Sequence, residues 1–358
     1  MCTRAALLLL LSLSGLSGVT GLTGLKKADA AASNAATVAA IAQYKGADRT
    51  QRLIDGAKKE GELLTYSSLE AGDLAALNNA FEKKYGIKVK TWRAASDSIL
   101  QRTLQEAKAG RFDVDAIDAS TPILEALHRE KLLVPVQSPY LADMLPQTVP
   151  AHHEWVGSRL NVFVQAYNTK LVKKEDLPQS YYDLLAPKWK GKLSIEATDD
   201  DWFATLVQAL GEKKGLQLFQ DIKAGNGLSV RKGHTLLTKL VTTGEVPFAL
   251  TVYNFTATQL RDSGAPLDWY AISPAIARAN GLGITARAPH PHAALLYYDF
   301  IISDDGQQIL RKRGFMPSST KIATPFSKMP LKVVDPAQML DDGDKWARLY
   351  DQIVVKGK

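Results

Sequence analysis

Leu63-Leu64-Thr65-Tyr66-Ser67-Ser68-Leu69-Glu70 is the stretch whose reading decides the fold. A short apolar run breaks into hydroxyl residues, and Leu74, Leu77 and Phe81 follow at the spacing of one helix face, so it reads as strand, tight turn, helix. In an open α/β sheet such a turn lies at the carboxyl end of its strand. Backbone N–H groups, the Ser67 and Ser68 hydroxyls and the Glu70 carboxylate can there converge on one crevice. The competing reading makes Ser67 or Ser68 a helix cap only, since serine is a favoured N-cap.

Working outward, residues 48–60 carry Leu53, Ile54 and Ala57 on one face, and Gly61 ends that helix. Beyond the opening stretch, a helix over 74–85 closes at Gly86, and 87–92 alternates as a half-buried strand does. A helix over 99–107 follows, then a strand over 112–118 ending in acid, with Ser120 in the turn that opens a helix over 123–129. Helix and strand thus alternate three times, the pattern of a parallel sheet with helices on its faces. Residues 135–155 break the rhythm with four prolines and read as a connection. A second α/β unit follows. Its strands are expected over 161–167, 192–195 and 246–251, and its helices over 203–210, 216–223 and 235–242. A second connection over 266–274 leads to two amphipathic helices, over 293–303 and 306–312. The length suits two domains at about 150 residues each.

The first thirty residues read as a secretory signal: Arg4, then an apolar stretch rich in Leu, Ser and Gly, then Ala28-Asp29-Ala30 at the spacing of a signal-peptidase site. The only cysteine, Cys2, precedes the apolar stretch, so cleavage leaves a chain without disulfides or thiolate chemistry. Of the formal +7, Arg4, Lys26 and Lys27 against Asp29 lie in that segment, leaving about +5. The remaining charges interleave in sign, whereas nucleic-acid binding asks for a basic stripe with aromatics. No nucleic-acid partner is expected.

Glu70, Asp118 and the run Asp199 to Asp201 stand at strand-to-helix turns, where carboxylates can face a cationic group; the alternative is that they serve the helix dipole. Trp202 and Tyr253 can stack on a ligand or belong to the core. Arg231 and His234 flank another loop-to-helix boundary suited to a carboxylate or phosphate, or are part of a solvated loop. His290-Pro291-His292 reads as a helix opening, since proline breaks the spacing that pairs histidines on zinc, and His152-His153-Glu154 lies in the connection. No G-x-S-x-G elbow and no Gly-Lys-Ser/Thr phosphate loop is present.

Asp48-Arg49-x-x-Arg52-Leu53-Ile54-x-Gly56-Ala57-Lys58-Lys59-Glu60-Gly61, followed by Tyr66-Ser67-Ser68, resembles the extracytoplasmic solute-binding proteins of ATP-binding cassette importers, and within them the ferric-iron branch. Phe112-Asp113-Val114, Tyr167-Asn168-Thr169, Pro187-Lys188-Trp189-Lys190-Gly191, Gly244-Glu245-Val246-Pro247 and Phe300 to Gln307 match in the family's order. The resemblance implies an α/β, two-lobe periplasmic-binding-protein fold, each lobe a mostly parallel sheet flanked by helices. Crossing hinge strands, near 162–167 and 269–274, would join the lobes. It implies a signal peptide over 1–30, a first lobe from 31–160 and 271–325, an inserted second lobe over 161–270, and a C-terminal helical segment over 326–358. It further implies a periplasmic monomer that binds a small-molecule solute, without a cofactor, and delivers it to an inner-membrane permease. A secreted hydrolase using the same cleft is the rival of a different class.

Iron-binding relatives usually carry two consecutive tyrosines after the Gly-Glu-x-Pro strand, where this chain reads Thr251-Val252-Tyr253-Asn254-Phe255. Glu70 stands nearest their first-turn histidine, Asp118 matches their strand-end carboxylate, and Asp199 falls near the hydroxyl that holds a partner anion. The expected ligand is therefore a small polar organic solute in a cleft lined by Ser67, Ser68, Glu70, Asp118, Ser120, Asp199, Trp202, Arg231, His234 and Tyr253. Ferric iron on Glu70, Asp118 and Tyr253 is the alternative.

Overall fold

The computed structural model describes residues 34–356, and the signal segment expected over 1–30 lies outside them. Strand β1 (Glu62–Ser67) is flanked in parallel by β2 (Lys88–Arg93) and β3 (Ala116–Ser120). Helices Arg49–Glu60, Ala71–Tyr85, Ser96–Lys108 and Thr121–Arg129 alternate with them, as the periodicity predicts. The first helix stops where Gly61 adopts φ 79° and returns its N–H to Ala57 O at 2.7 Å, a backbone state that costs glycine least.

The expected strand over 161–167 is twice that length. Strand β4 (Trp155–Asn168) pairs antiparallel along its first part with β9 (Ala275–Ile284), and along its second part with β7 (Phe248–Tyr253) and β8 (Leu267–Tyr270). The second connection over 266–274 therefore contains a strand, and the chain returns through β9, which periodicity did not reveal. Small residues hide it: a Cβ on Gly281 would stand 2.1 Å from Val156 O, so close backbone approach requires glycine there. Strand β5 (Leu193–Glu196) lies parallel to both β7 and β6 (Ser229–Arg231). The sheet order is β2-β1-β3-β9-β4-β7-β5-β6.

Each half of this sheet carries apolar packing on both faces. In the first half, Leu63, Phe81, Val156 and Leu282 pack on one side, and Tyr66, Ile117, Leu124 and Trp155 on the other. In the second, Phe163, Trp189, Trp202, Phe203 and Phe219 oppose Leu160, Val164, Leu237 and Val252. Each such side chain contributes roughly 1.5–3 kcal/mol when fully buried. Helix Pro291–Ile302 differs from its amphipathic expectation. All its residues but His292 are buried, because it lies between the sheet and helix Arg49–Glu60.

The C-terminal segment begins with a short strand, Leu331–Val333, beside β9, and becomes helical at Pro336–Tyr350. Trp346 and Tyr350 pack against Phe203 in the second half's core, while Arg129 of the first half bonds Asp341 at 2.6 Å. The last helix thus touches both halves.

Candidate functional site

The carboxyl ends of β1 and β3 bring Ser67 and Asp118 together. Ser67 Oγ donates to Asp118 Oδ2 at 2.7 Å, and Ser68 N–H donates to Asp118 O at 2.9 Å. Asp118 does not wait for a cation, because Arg159 of β4 holds it, with Nη1 2.8 Å from Oδ1 and Nη2 3.5 Å from Oδ2. Arg159 is 3% exposed, so its charge is compensated within the chain. Glu70 stands apart: its side chain is 72% exposed and pairs with Arg93 at 2.8 Å. Ser120 is half-buried and gives its N–H to Ser96 Oγ at 3.2 Å.

Across the crossing strands, a second cluster forms at the ends of β5 and β7. Arg278 of β9 forks onto Asp201, with Nε 2.5 Å from Oδ2 and Nη2 2.6 Å from Oδ1, and its Nη1 donates to the Tyr253 hydroxyl at 2.6 Å. The guanidinium lies over the Phe163 ring at 5.3 Å. His234 Nε2 stands 3.2 Å from Asp199 Oδ1, and the His234 and Tyr253 rings lie 4.0 Å apart. Asp199 is fully buried, yet neither of its oxygens has a hydrogen bond among the described residues. Glu196 is satisfied by Gly233 N–H at 2.8 Å and by the Thr198 hydroxyl at 2.8 Å.

These surroundings set the ionisation. Burial works against a charged His234, but the Asp199 carboxylate outweighs it and holds the imidazole above its ordinary value. Burial, reinforced by the Asp201 charge, lifts Asp200 to about 6. Burial pushes the Tyr253 phenol well up against the pull of Arg278, which disfavours a phenolate.

Besides Glu70, two more expected site residues lie elsewhere. Trp202 is fully buried, edge-on to Phe219 and Tyr181, and belongs to the core because its ring completes the second half's packing. Arg231, though paired in register with Glu196, turns to Ser229 Oγ at 2.6 Å and Glu245 at 3.6 Å and makes no hydrogen bond or ion pair to the cluster among the described residues. The guanidiniums come instead from Arg159 and Arg278, which sequence reasoning passed over. The signal was there: each is a lone charge inside an otherwise apolar run, Leu160 to Val164 after one and Ala275 to Ala279 around the other.

Register explains their convergence. Arg159 pairs with Asn280 and Asn161 with Arg278, so all four side chains share one face of the two crossing strands. Asn161 Oδ1 and Asn280 Nδ2 are buried without hydrogen-bond partners. Together with the Asp199 carboxylate, which is ion-paired with His234 but accepts no hydrogen bond among the described residues, they leave donors and acceptors for a polar ligand. Glu196, Asp199 and His234 also bring one donor atom each within 4.8 Å of the others, a spacing open to a metal ion. The histidines of 290–292 do open a helix, bonded to Asp115 at 3.0 Å and Glu60 at 2.7 Å.

Comparison with known proteins fits this geometry. The chain is 27% identical over 303 residues to the "Fe(3+)-binding periplasmic protein" of Serratia marcescens, covering 79% of this chain and 88% of that one. Iron-bound HitA from Pseudomonas aeruginosa superposes with a TM-score of 0.70 at 22% identity, over 80% of this chain and 98% of that one. AfuA from Actinobacillus pleuropneumoniae, with fructose-6-phosphate bound, superposes with 0.68 at 22% identity, over 83% and 99%. The two-lobe α/β fold expected from the sequence is therefore the fold observed. The profile of the bacterial extracellular solute-binding proteins matches residues 116–341, and the chain belongs to that family.

Proposed function

We propose that the chain captures a small polar organic solute between its lobes, outside the cytoplasmic membrane, and hands it to the permease of an ATP-binding cassette importer. One observation carries the choice of ligand: the single tyrosine at the end of β7 gives its oxygen to Arg278, and the acids Asp118 and Asp201 are each forked by an arginine. Such a site offers guanidinium edges for a carboxylate or phosphate and acids for an amine, in matched pairs. Ferric iron is instead best served by a set of free hard anionic oxygens.

The lobe assignment proposed is 31–160 with 271–325, and 161–270, with the C-terminal segment 326–358 in contact with both. Closure would turn on β4 and on the return into β9, where a few φ/ψ changes move one packed half against the other. The leader over 1–30 would be cleaved, and the mature chain would act as a periplasmic monomer without catalysis. Its site would be built on Ser67, Ser68, Asp118, Arg159, Asp199, His234, Tyr253 and Arg278. The ferric reading keeps a specific support, since the Serratia relative is named for iron, HitA is iron-bound, and Glu196, Asp199 and His234 are suitably spaced.

Titration of metal-stripped protein with ferric citrate separates the two. A colourless protein, stabilised instead by one member of a panel of amino acids, polyamines, phosphonates and carboxylates, with the effect lost in Arg278→Ala, is expected. Stoichiometric uptake with a visible phenolate-to-iron band that disappears in Tyr253→Phe would reverse the assignment.

A further inference from the structure

A second cluster of ligating side chains lies away from the cleft, where the connection enters β4. Glu125 and His128 stand one turn apart on helix Thr121–Arg129, and His152 and Glu154 come from the turn just before Trp155. The His128 and His152 rings stack at 3.7 Å and 8°. Donor atoms of Glu125, His128 and His152 lie within 4.8 Å of one another.

The polar atoms there are incompletely used. His128 Nδ1 and Glu154 Oε2 stand 2.9 Å apart, yet both are buried without an aligned hydrogen bond. Glu125 Oε2 takes the Trp155 indole N–H at 3.1 Å and faces His152 Nε2 at 3.3 Å. Glu154 N–H donates to His152 Nδ1 at 3.0 Å, a bond that metal ligation through Nε2 must give up. Arg129 Nε approaches Glu125 at 3.6 Å, but its fork is committed to Asp341. The cluster borders a cavity of about 420 Å³ whose other wall is the C-terminal segment at Val333 to Ala337.

We propose that Glu125, His128 and His152 hold a divalent transition-metal cation of the zinc class, with Glu154 as fourth ligand or as the carboxylate that orients His128. Two imidazoles with one or two carboxylates suit a tetrahedral nitrogen and oxygen site. The ion would tie the helix that contacts the C-terminal segment to the root of a crossing strand.

The test uses the full mature chain, free of any affinity tag and stripped of metal, titrated with Zn²⁺ and with Co²⁺. One equivalent of Zn²⁺ binding with a rise in Tm, and a tetrahedral Co²⁺ visible band in the unmutated protein, is the expected result. Uptake should fall at least tenfold in His128→Ala and His152→Gln, and persist in His234→Ala, which removes a donor from the cleft cluster. Absence of the Co²⁺ band in the unmutated chain would overturn the site, as would zinc uptake that survives both histidine variants or is abolished by His234→Ala.

Discussion

Arg278→Met removes the guanidinium that holds Asp201 and the Tyr253 hydroxyl while keeping most of the side chain's volume. The side chains of Arg278 and Asp201 are 22% and 9% exposed, so the pair is largely out of water. Deleting one partner of a buried pair costs roughly 3–5 kcal/mol, because the remaining charge is uncompensated. Partial exposure of Arg278, and the Trp202 N–H that still bonds Asp201 at 2.7 Å, put the expected loss near the lower end, about 3 kcal/mol. Asp199, whose Oδ1 lies 3.7 Å from Arg278, is left buried without that neighbour as well. At a slope of about 3 kcal/mol per M, urea unfolding followed by far-UV circular dichroism should show a midpoint drop of about 1 M. Adding Asp201→Asn removes the orphaned charge but keeps an acceptor for Trp202, and should recover about two-thirds of the loss. Solute binding should not recover with it. A single variant within ~0.5 kcal/mol of the parent, the range of ordinary surface changes, would refute the reasoning, as would a double variant no more stable than the single.

His234→Gln should destabilise more at pH 5.5 than at pH 8.5. The Asp199 pairing raises the folded-state value of His234 against burial, so its contribution is complete below the ordinary histidine value and fades as pH rises through the raised one; equal urea midpoint losses at both pH values would contradict this. Trp202→Ala should cost roughly 3–5 kcal/mol by leaving a cavity, and Trp202→Phe should leave solute affinity within about twofold, measured by calorimetry, since the ring is core and not cleft. Arg231→Ala should change stability by ~0.5 kcal/mol or less and leave affinity unchanged, because its partners lie off the site. Small-angle scattering should show a smaller radius of gyration at saturating solute; identical profiles would count against hinged closure.

The first half of the fold was legible because Leu63 to Ser67 and its neighbours are short apolar runs punctuated by Gly61 and Gly86, where local chemistry alone sets the boundaries. Strand β9 was not, because Ala275, Ala277, Ala279, Gly281 and Gly283 place only small residues on one of its faces, and small residues carry no periodic signal. Of the residues proposed for the site, Ser67, Asp118, Asp199, His234 and Tyr253 stand at turns and are legible as polar groups at strand ends. The roles of the arginines are not legible in the sequence, for a tertiary reason. Arg231 and Arg278 both adjoin apolar strands, and only the register of β9 against β4 decides which one reaches Asp201. Likewise Asp118 looks like a free carboxylate until the fold brings Arg159 from 41 residues away.

Native mass spectrometry of the protein purified from its source under non-denaturing conditions tests the central claim most directly, because the solute held in the cleft travels with the chain. The account predicts an added mass equal to one organic molecule bearing a carboxylate, phosphate or amine, released on denaturation and absent from Arg278→Ala. An added mass equal to one iron atom, alone or with a small anion, and retained in Arg278→Ala, would contradict it.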